Sequence, residues 1–505
     1  MKEFCEENQM KSTNITKSPW IYLIRQMFIC SGVASYFFLQ GLFFGAPTVY
    51  IPQIRKEANS TDIISMEMVS WLYSISSYGS LIWSIMIPLI AERFGRKVPF
   101  IIAWVNTIVC VLLFYFSTSV TELLVSALLQ GILPSVLIAM SIMILTEYTS
   151  PRYRGMLITF KGATFYWGIW VSNAIGTFFH WKNIGILIFI CCIYNISILF
   201  WPESPFWLAS KGNFDECAKW HRWLKGEDKN SEEELMQLII SQKKLIQKQE
   251  GQKSKLKNRI VKQYNIMKAK QFYKPLIFAL LTICLYHFSG KMACAGYVLD
   301  IIKTITVSES TAYETMLVLD GVTVVGMYVG VCLNKFLKRR TLFLGSSTVG
   351  VTFLFILSLY LYLVKLNVVA ENKYLTLFLL TGFSVSISCG PMIMSMCFCS
   401  ELTPLTGRIL FLCLFTLFSN LLMGSTLKSF PYILKYFGSY GTFLLYASMS
   451  SIFICILYKV LPETKDRTIQ DIEKSFIDDN VLKKYDVPLT NVEAACDKNL
   501  LPLRS

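Results

Sequence analysis

Twelve stretches of mostly apolar residues dominate this chain, at about 27–50, 69–91, 98–117, 122–146, 157–178, 184–201, 274–301, 315–334, 341–364, 375–399, 409–428 and 438–461. Each approaches the ~20 residues with which a helix crosses a hydrocarbon core. Such segments must satisfy their backbone groups internally, so helices are expected throughout. With 54% hydrophobic and only 16% charged residues, the chain lacks the polar surface of soluble domains, which carry about 25% charged residues. The net charge of +15 does not point to nucleic acid, because most of the basic residues lie in one long loop and at the ends of the apolar runs. The N-terminus opens with Glu3, Glu6 and Glu7, and the first apolar run is too long for a cleavable signal.

The expected fold class is therefore an all-α membrane protein with six spans on either side of a long polar segment. The expected divisions are an N-terminus 1–26, a first half 27–201, a loop 202–273, a second half 274–461 and a tail 462–505. The 202–274 stretch holds sixteen Lys and Arg against nine acids. Arg93, Arg96 and Lys97 follow the second span, and Lys335, Lys338, Arg339 and Arg340 follow the eighth. The positive-inside rule sends these loops, and with an even span count both termini, to the cytosol. The plasma membrane is the expected location, with the lipid bilayer as a partner. Within the loop, Leu235, Leu238, Ile239 and Ile246 form one apolar helical stripe expected to lie against the bundle. Twelve of the fifteen cysteines fall inside spans, so no outer disulfide framework is expected. Asn59-Ser60-Thr61 is a glycosylation sequon in the first outer loop.

The apolar halves look unalike, but their charges repeat. Glu401 and Arg408 lie 254 residues after Glu147 and Arg154. Pro202-Glu203-Ser204-Pro205 closes the sixth span and Pro462-Glu463-Thr464-Lys465 closes the twelfth. Glu92-Arg93-Phe94-Gly95-Arg96-Lys97 has a degraded counterpart in Lys335-Phe336-Leu337-Lys338-Arg339-Arg340. Two homologous six-helix halves in parallel orientation are a transporter architecture, with the solute near the midplane between them. Arg93, Arg96, Glu147, Arg154, Glu203, Glu401, Arg408 and Glu463 then form a gating set at the cytosolic mouth, pairing across the halves when that mouth closes.

These motifs, with Gly390-Pro391 and Pro462-Glu463-Thr464-Lys465-Asp466-Arg467-Thr468, resemble the sugar porter family of the major facilitator superfamily over about residues 27–475. The likeness is to facilitative glucose and insect-type trehalose transporters. It implies a major facilitator fold and alternating access for a small polar solute, in the first instance a sugar. By the same resemblance, substrate-cavity positions fall at Gly162, Tyr286, His287, Thr323, Met396 and Asn420. Most of the family's amide side chains are replaced there: its helix 7 motif reads Tyr286-His287-Phe288-Ser289-Gly290-Lys291-Met292. The family's proton-coupled members carry an Asp in helix 1, where this chain has no acid, so facilitated diffusion is expected.

Ionisable residues inside spans point to function. Lys291 follows His287 by one turn, and Asp320 lies three residues before Thr323. At 1.5 Å per residue Lys291 lies ~25 Å from the cytosolic end and Asp320 ~10 Å below the outer end, matching heights in one bilayer. The two are expected to pair. Lys161 either lines the cavity or snorkels to the interface. The sequence carries no enzyme signature, and no cofactor, metal site or nucleic-acid partner is expected. The alternative to a transporter is a ligand receptor that keeps the fold without turnover.

Overall fold

The computed structural model describes residues 19–59, 63–250, 264–303, 309–404, 407–465 and 476, and every regular element among them is helical. Span 1 is Pro19–Glu57, span 2 Met66–Phe94 and span 3 Val98–Phe116. Span 4 joins Val120–Leu129 to Ile132–Tyr148, span 5 is Pro151–Phe178, and span 6 runs Asn183–Tyr194 into the 3₁₀ turn Asn195–Phe200. Span 7 has three pieces, Lys270–Phe288, Lys291–Gly296 and Val298–Lys303. Span 8 is Glu309–Phe336, span 9 Arg339–Lys365, and span 10 Lys373–Cys389 with Pro391–Leu402. Arg408–Val460 holds spans 11 and 12, divided at Gly438 (φ 68°).

Nine helices among the described residues are apolar and long enough to cross a membrane. One of them, the 53-residue Arg408–Val460, is about 80 Å long at 1.5 Å per residue and makes two passes. Spans 5 and 7 complete the twelve. Span 5 is diluted by Arg152, Arg154 and Lys161, and span 7 is interrupted after Phe288. That interruption has a steric cause. Gly290 sits at φ 76°, and a β-carbon there would press on the ring of Tyr446 at 2.8 Å. Only glycine takes that backbone and that approach at little cost. In span 10, Pro391 removes a backbone donor and the helix restarts after Gly390.

Within the first half, span 1 lies along span 5 and span 4 along span 2. Within the second, Ser358 of span 9 donates to the carbonyl of Tyr440 in span 12, and Phe272 of span 7 packs edge-on against Phe411 of span 11. The halves meet along two seams. Span 2 packs on span 11, where Asn420 donates to Ser84 at 3.0 Å. Span 5 packs on span 8, where Trp170 donates to the carbonyl of Leu317 at 3.1 Å. Advancing each span by six turns the first seam into the second, the relation expected of two parallel halves about a common axis.

The loop after span 6 folds into Pro205–Ser210, Phe214–Lys225 and Lys229–Glu250. Among the described residues, the apolar stripe of the last helix packs on the other helices of this loop. Leu235 packs with Leu208, Ala209 and Cys217, with Leu238 and Ile239 beside them. The loop is tied to the bundle through its first two helices: Trp207 donates to the carbonyl of Glu92 in span 2, and Arg25 and Gln26 of span 1 donate to the carbonyls of Trp223 and Leu224. Gln26 also accepts from the backbone N–H of Ser150, at the start of span 5.

Candidate solute path and gating clusters

Glu147 ends span 4 beneath a ring of donors. It accepts from Arg96 Nε at 3.2 Å and from the Ser204 hydroxyl at 2.6 Å, with its side chain 2% exposed. Arg96 is aimed inward by the turn that carries it. Gly95 adopts φ 113°, and the Glu203 carboxylate occupies the space a β-carbon would need. Glu203 accepts the backbone N–H of Arg96 at 2.7 Å and thereby caps the start of span 3. Burial raises the Glu203 pKa, and these N–H groups oppose the shift.

The second half repeats the device. Glu463 accepts the backbone N–H groups of Arg339 and Arg340, each at 3.2 Å. Arg339 pairs with Glu401 at the end of span 10. Arg339 was absent from the expected gating set. Aligning Glu92–Lys97 with Lys335–Arg340 sets it opposite Arg96, and that register was its available signal. Arg408 then joins the halves at this mouth. It opens span 11, lies 3.7 Å from Glu147 and also donates to Thr146.

Arg93 lies outside the cluster: it is exposed, with its guanidinium over the ring of Phe94 at 5.4 Å. It falls three residues before Arg96, on the helical side of the Gly95 turn. Arg154 lies in the first turns of span 5, but its side chain is outside the described residues.

Deeper in, Tyr166 of span 5 reaches across to span 7. Its hydroxyl is 2.9 Å from that of Tyr286 and 3.1 Å from the sulfur of Met292. Gly162 faces span 8, where the terminal methyl of Met327 lies 3.4 Å from the point a β-carbon would occupy. Lys291 donates to Thr323 at 2.9 Å and to Ser384 at 2.7 Å. Asp320 instead accepts from Asn173 of span 5 at 2.7 Å. The expected Lys291–Asp320 ion pair is therefore not formed, although both residues line one cavity with Ser384, Cys294 and Phe383. Matching heights did not suffice, because each charge has a polar neighbour closer on another helix.

Lys161 does not snorkel. It is buried, donates to Ser141 at 2.6 Å and lies over the ring of Phe37. His287 is buried against Tyr286 with no hydrogen-bond partner on either ring nitrogen. Met396 is half-buried against the core. Asn420 uses its amide nitrogen on Ser84 and leaves its oxygen unpartnered. Asn173, Ser384 and Ser141 were not anticipated. Asn173 was legible in principle, being eleven residues or three full turns beyond Gly162 on the same face.

Toward the end of the bundle away from Glu147, the halves also touch. Tyr73 packs on Tyr297 with ring centroids 4.3 Å apart, and Thr48 donates to the carbonyl of Gly296 at 2.9 Å. Asn59 lies beyond span 1 at this same end, exposed, at φ 48°.

Two similar six-span halves, closed on each other at both ends around buried polar side chains, define a membrane transporter rather than an enzyme. The family described as "Sugar (and other) transporter" matches residues 27–476, and the chain belongs to it. It is 25% identical over 433 residues to the facilitated trehalose transporter Tret1 of Apis mellifera ligustica, covering 84% of this chain and 82% of that one. The arabinose-proton symporter of Escherichia coli (strain K12) is 24% identical over 476 residues, covering 88% and 93%. Among solved structures, the proton:xylose symporter XylE bound to 6-bromo-6-deoxy-D-glucose superposes with a TM-score of 0.72 at 16% identity, over 88% of this chain and 99% of that chain. The inward-open xylose transporter XylE from E. coli gives 0.67 at 13% identity, over 89% and 99%. The fold is thus that of the major facilitator superfamily, and the protein is an integral, multi-pass membrane transporter.

Proposed function

We propose that this protein carries a sugar-sized polar solute by facilitated diffusion, with the Glu147 end and both termini in the cytosol of a plasma-membrane protein. The observation that supports this best is the Arg408–Glu147 contact, which ties the halves at one end while Tyr73–Tyr297 ties them at the other. Alternating access then consists of releasing one set while the other holds. Partly desolvated ion pairs and single aromatic contacts have free energies of about 1–2 kcal/mol, small enough for the equilibrium between states to remain mobile.

Between the two closures lie buried polar atoms with no protein partner: both ring nitrogens of His287, Asn173 Oδ1, Asn420 Oδ1 and Gln40 Oε1. Buried polar atoms are normally paired. A hydroxyl-bearing solute supplies donors and acceptors for such a set. Span 1 has no acid between Trp20 and Lys56, which supports uniport over proton coupling.

Radiolabelled uptake in transporter-null cells tests the reading. The expected result is saturable uptake that stops at equal concentrations and ignores a protonophore. Accumulation beyond equilibrium that collapses with the protonophore would overturn the facilitative assignment. For orientation, an epitope inserted within 225–230 should be stained only after permeabilisation, and an endoglycosidase shift should trace to Asn59.

A further inference from the structure

Two buried ammonium groups lie inside the described spans with no carboxylate paired to them. Lys161 and Lys291 are 4% and 3% exposed. An ammonium has three N–H donors. Lys161 uses Ser141, and Lys291 uses the hydroxyls of Thr323 and Ser384. The carboxylate nearest in kind, Asp320, lines the same cavity as Lys291 but is held across the span 5–span 8 seam by Asn173. Its hydrogen bond is met from the other half, and the hydrogen bonds of the Lys291 ammonium go to neutral hydroxyl oxygens instead. Hydroxyl groups only partly offset the removal of a charge from water. Charges kept at such depth belong to ligand paths more often than to scaffolding.

Their placement is as informative as their charge. The Tyr166 hydroxyl closes against Tyr286 and Met292, joining span 5 to span 7. Lys161 precedes Tyr166 by five residues, on the side toward Glu147, and Lys291 adjoins Met292. One cation therefore stands on the Glu147 side of this closure, and the other stands beside it in the cavity with Asp320. A neutral sugar passing this way would leave Lys161 without a counter-charge and Lys291 with only the carboxylate of Asp320, unbonded to it, across the same cavity.

We infer that the solute carries an anionic group, a carboxylate or a phosphate on a sugar-sized polar body, which Lys291 receives and Lys161 accepts once the Tyr166–Tyr286 contact opens. This rests on the transport reading and narrows its substrate class. Thr323 and Ser384 hold the Lys291 ammonium toward the cavity, and the Asn173–Asp320 bond keeps the neighbouring carboxylate out of hydrogen-bond contact with it. No bond is made or broken. The two lysines act as successive counter-ions along the path.

The test uses D-glucuronate and D-glucose, which differ only by a carboxylate in place of a hydroxymethyl group, with D-glucose 6-phosphate as the phosphate arm. Purified full-length protein is assayed by thermal shift and, in proteoliposomes, by uptake. At least one anion should stabilise the protein and enter at concentrations tenfold or more below those needed for D-glucose. In Lys291→Gln that preference should fall to within about twofold. In Lys161→Gln the thermal shift should persist while uptake slows at least tenfold. If D-glucose stabilises and enters as well as both anions, or if neither anion binds, the inference is overturned while neutral-sugar uptake leaves the transport reading intact. Anion binding without uptake would retain the site and defeat the transport reading. Should Lys291→Gln fail to fold, the wild-type comparison of the three probes decides alone.

Discussion

The guanidinium of Arg408 lies 3.7 Å from the carboxylate of Glu147, one residue from each half of the chain. Glu147 is at the same time bound within its own half by Arg96 and Ser204. The shared carboxylate makes the local fold of the first half and the closure of the mouth depend on one group. Its side chain is 2% exposed and that of Arg408 20%, so the cross-half contact is the more solvent-accessible and the easier to release.

Arg408→Gln should therefore loosen the mouth without unfolding the protein. Loss of one charge-assisted contact of about 1.5 kcal/mol moves a two-state equilibrium roughly tenfold. Spin-label distances across that mouth should show a larger open population in the variant. An unchanged distribution would remove Arg408 from the gate. Arg154→Glu should slow solute uptake in proteoliposomes while solute binding, read by thermal shift, is retained.

Glu147→Ala should act differently, as a folding defect. It leaves Arg96, 5% exposed at its side chain, as a buried charge without its carboxylate. Breaking one side of a buried pair costs about 3–5 kcal/mol. Glu401→Ala removes the equivalent acid where the side chain is 22% exposed, and should cost much less. Thermal denaturation in detergent should rank the two variants in that order.

Lys291 and Asp320 share a cavity but not a bond. A double-mutant cycle with Lys291→Met and Asp320→Leu should give a coupling near the lower end of the about 0.5–3 kcal/mol found for residues in contact or sharing a cavity. The cycle between Asn173→Ala and Asp320→Ala should instead show clear coupling, because that hydrogen bond spans the halves. Stability of the purified variants is the readout.

His221 offers a pH prediction outside the membrane. It sits in the helix Phe214–Lys225, buried, with neither ring nitrogen partnered. Burial, reinforced by the charge of Lys225, lowers its pKa to about 4 from the ordinary 6.5. The unfolded segment thus binds the proton first as pH falls. Stability is constant above about pH 6.5 and is lost from there down through pH 4, by about 2 kcal/mol between pH 7 and pH 5. Hydrogen exchange across 214–225 should accelerate over that interval, and His221→Phe should flatten the response.

The spans and the doubled charge motif were legible because both are local or periodic. Twenty apolar residues require a bilayer whatever surrounds them, and the repeat of Glu147 and Arg154 at Glu401 and Arg408 shows in the numbering alone. Spans 7 and 10 were expected to run unbroken, and their breaks at Gly290 and Pro391 were decided by the packing around them. Pairing was not legible either. Ser384 is 93 residues from Lys291, and Asn173 is 147 from Asp320. Height along a helix follows from counting residues, but the rotation that sets one polar side chain against another follows from packing between helices remote in sequence. The Gly95 turn shows the same division at short range. Arg93 and Arg96 are equally basic in the sequence, yet the carboxylate of Glu203, arriving from beyond span 6, fills the glycine's open side and fixes the turn that sends Arg96 inward and leaves Arg93 in solvent.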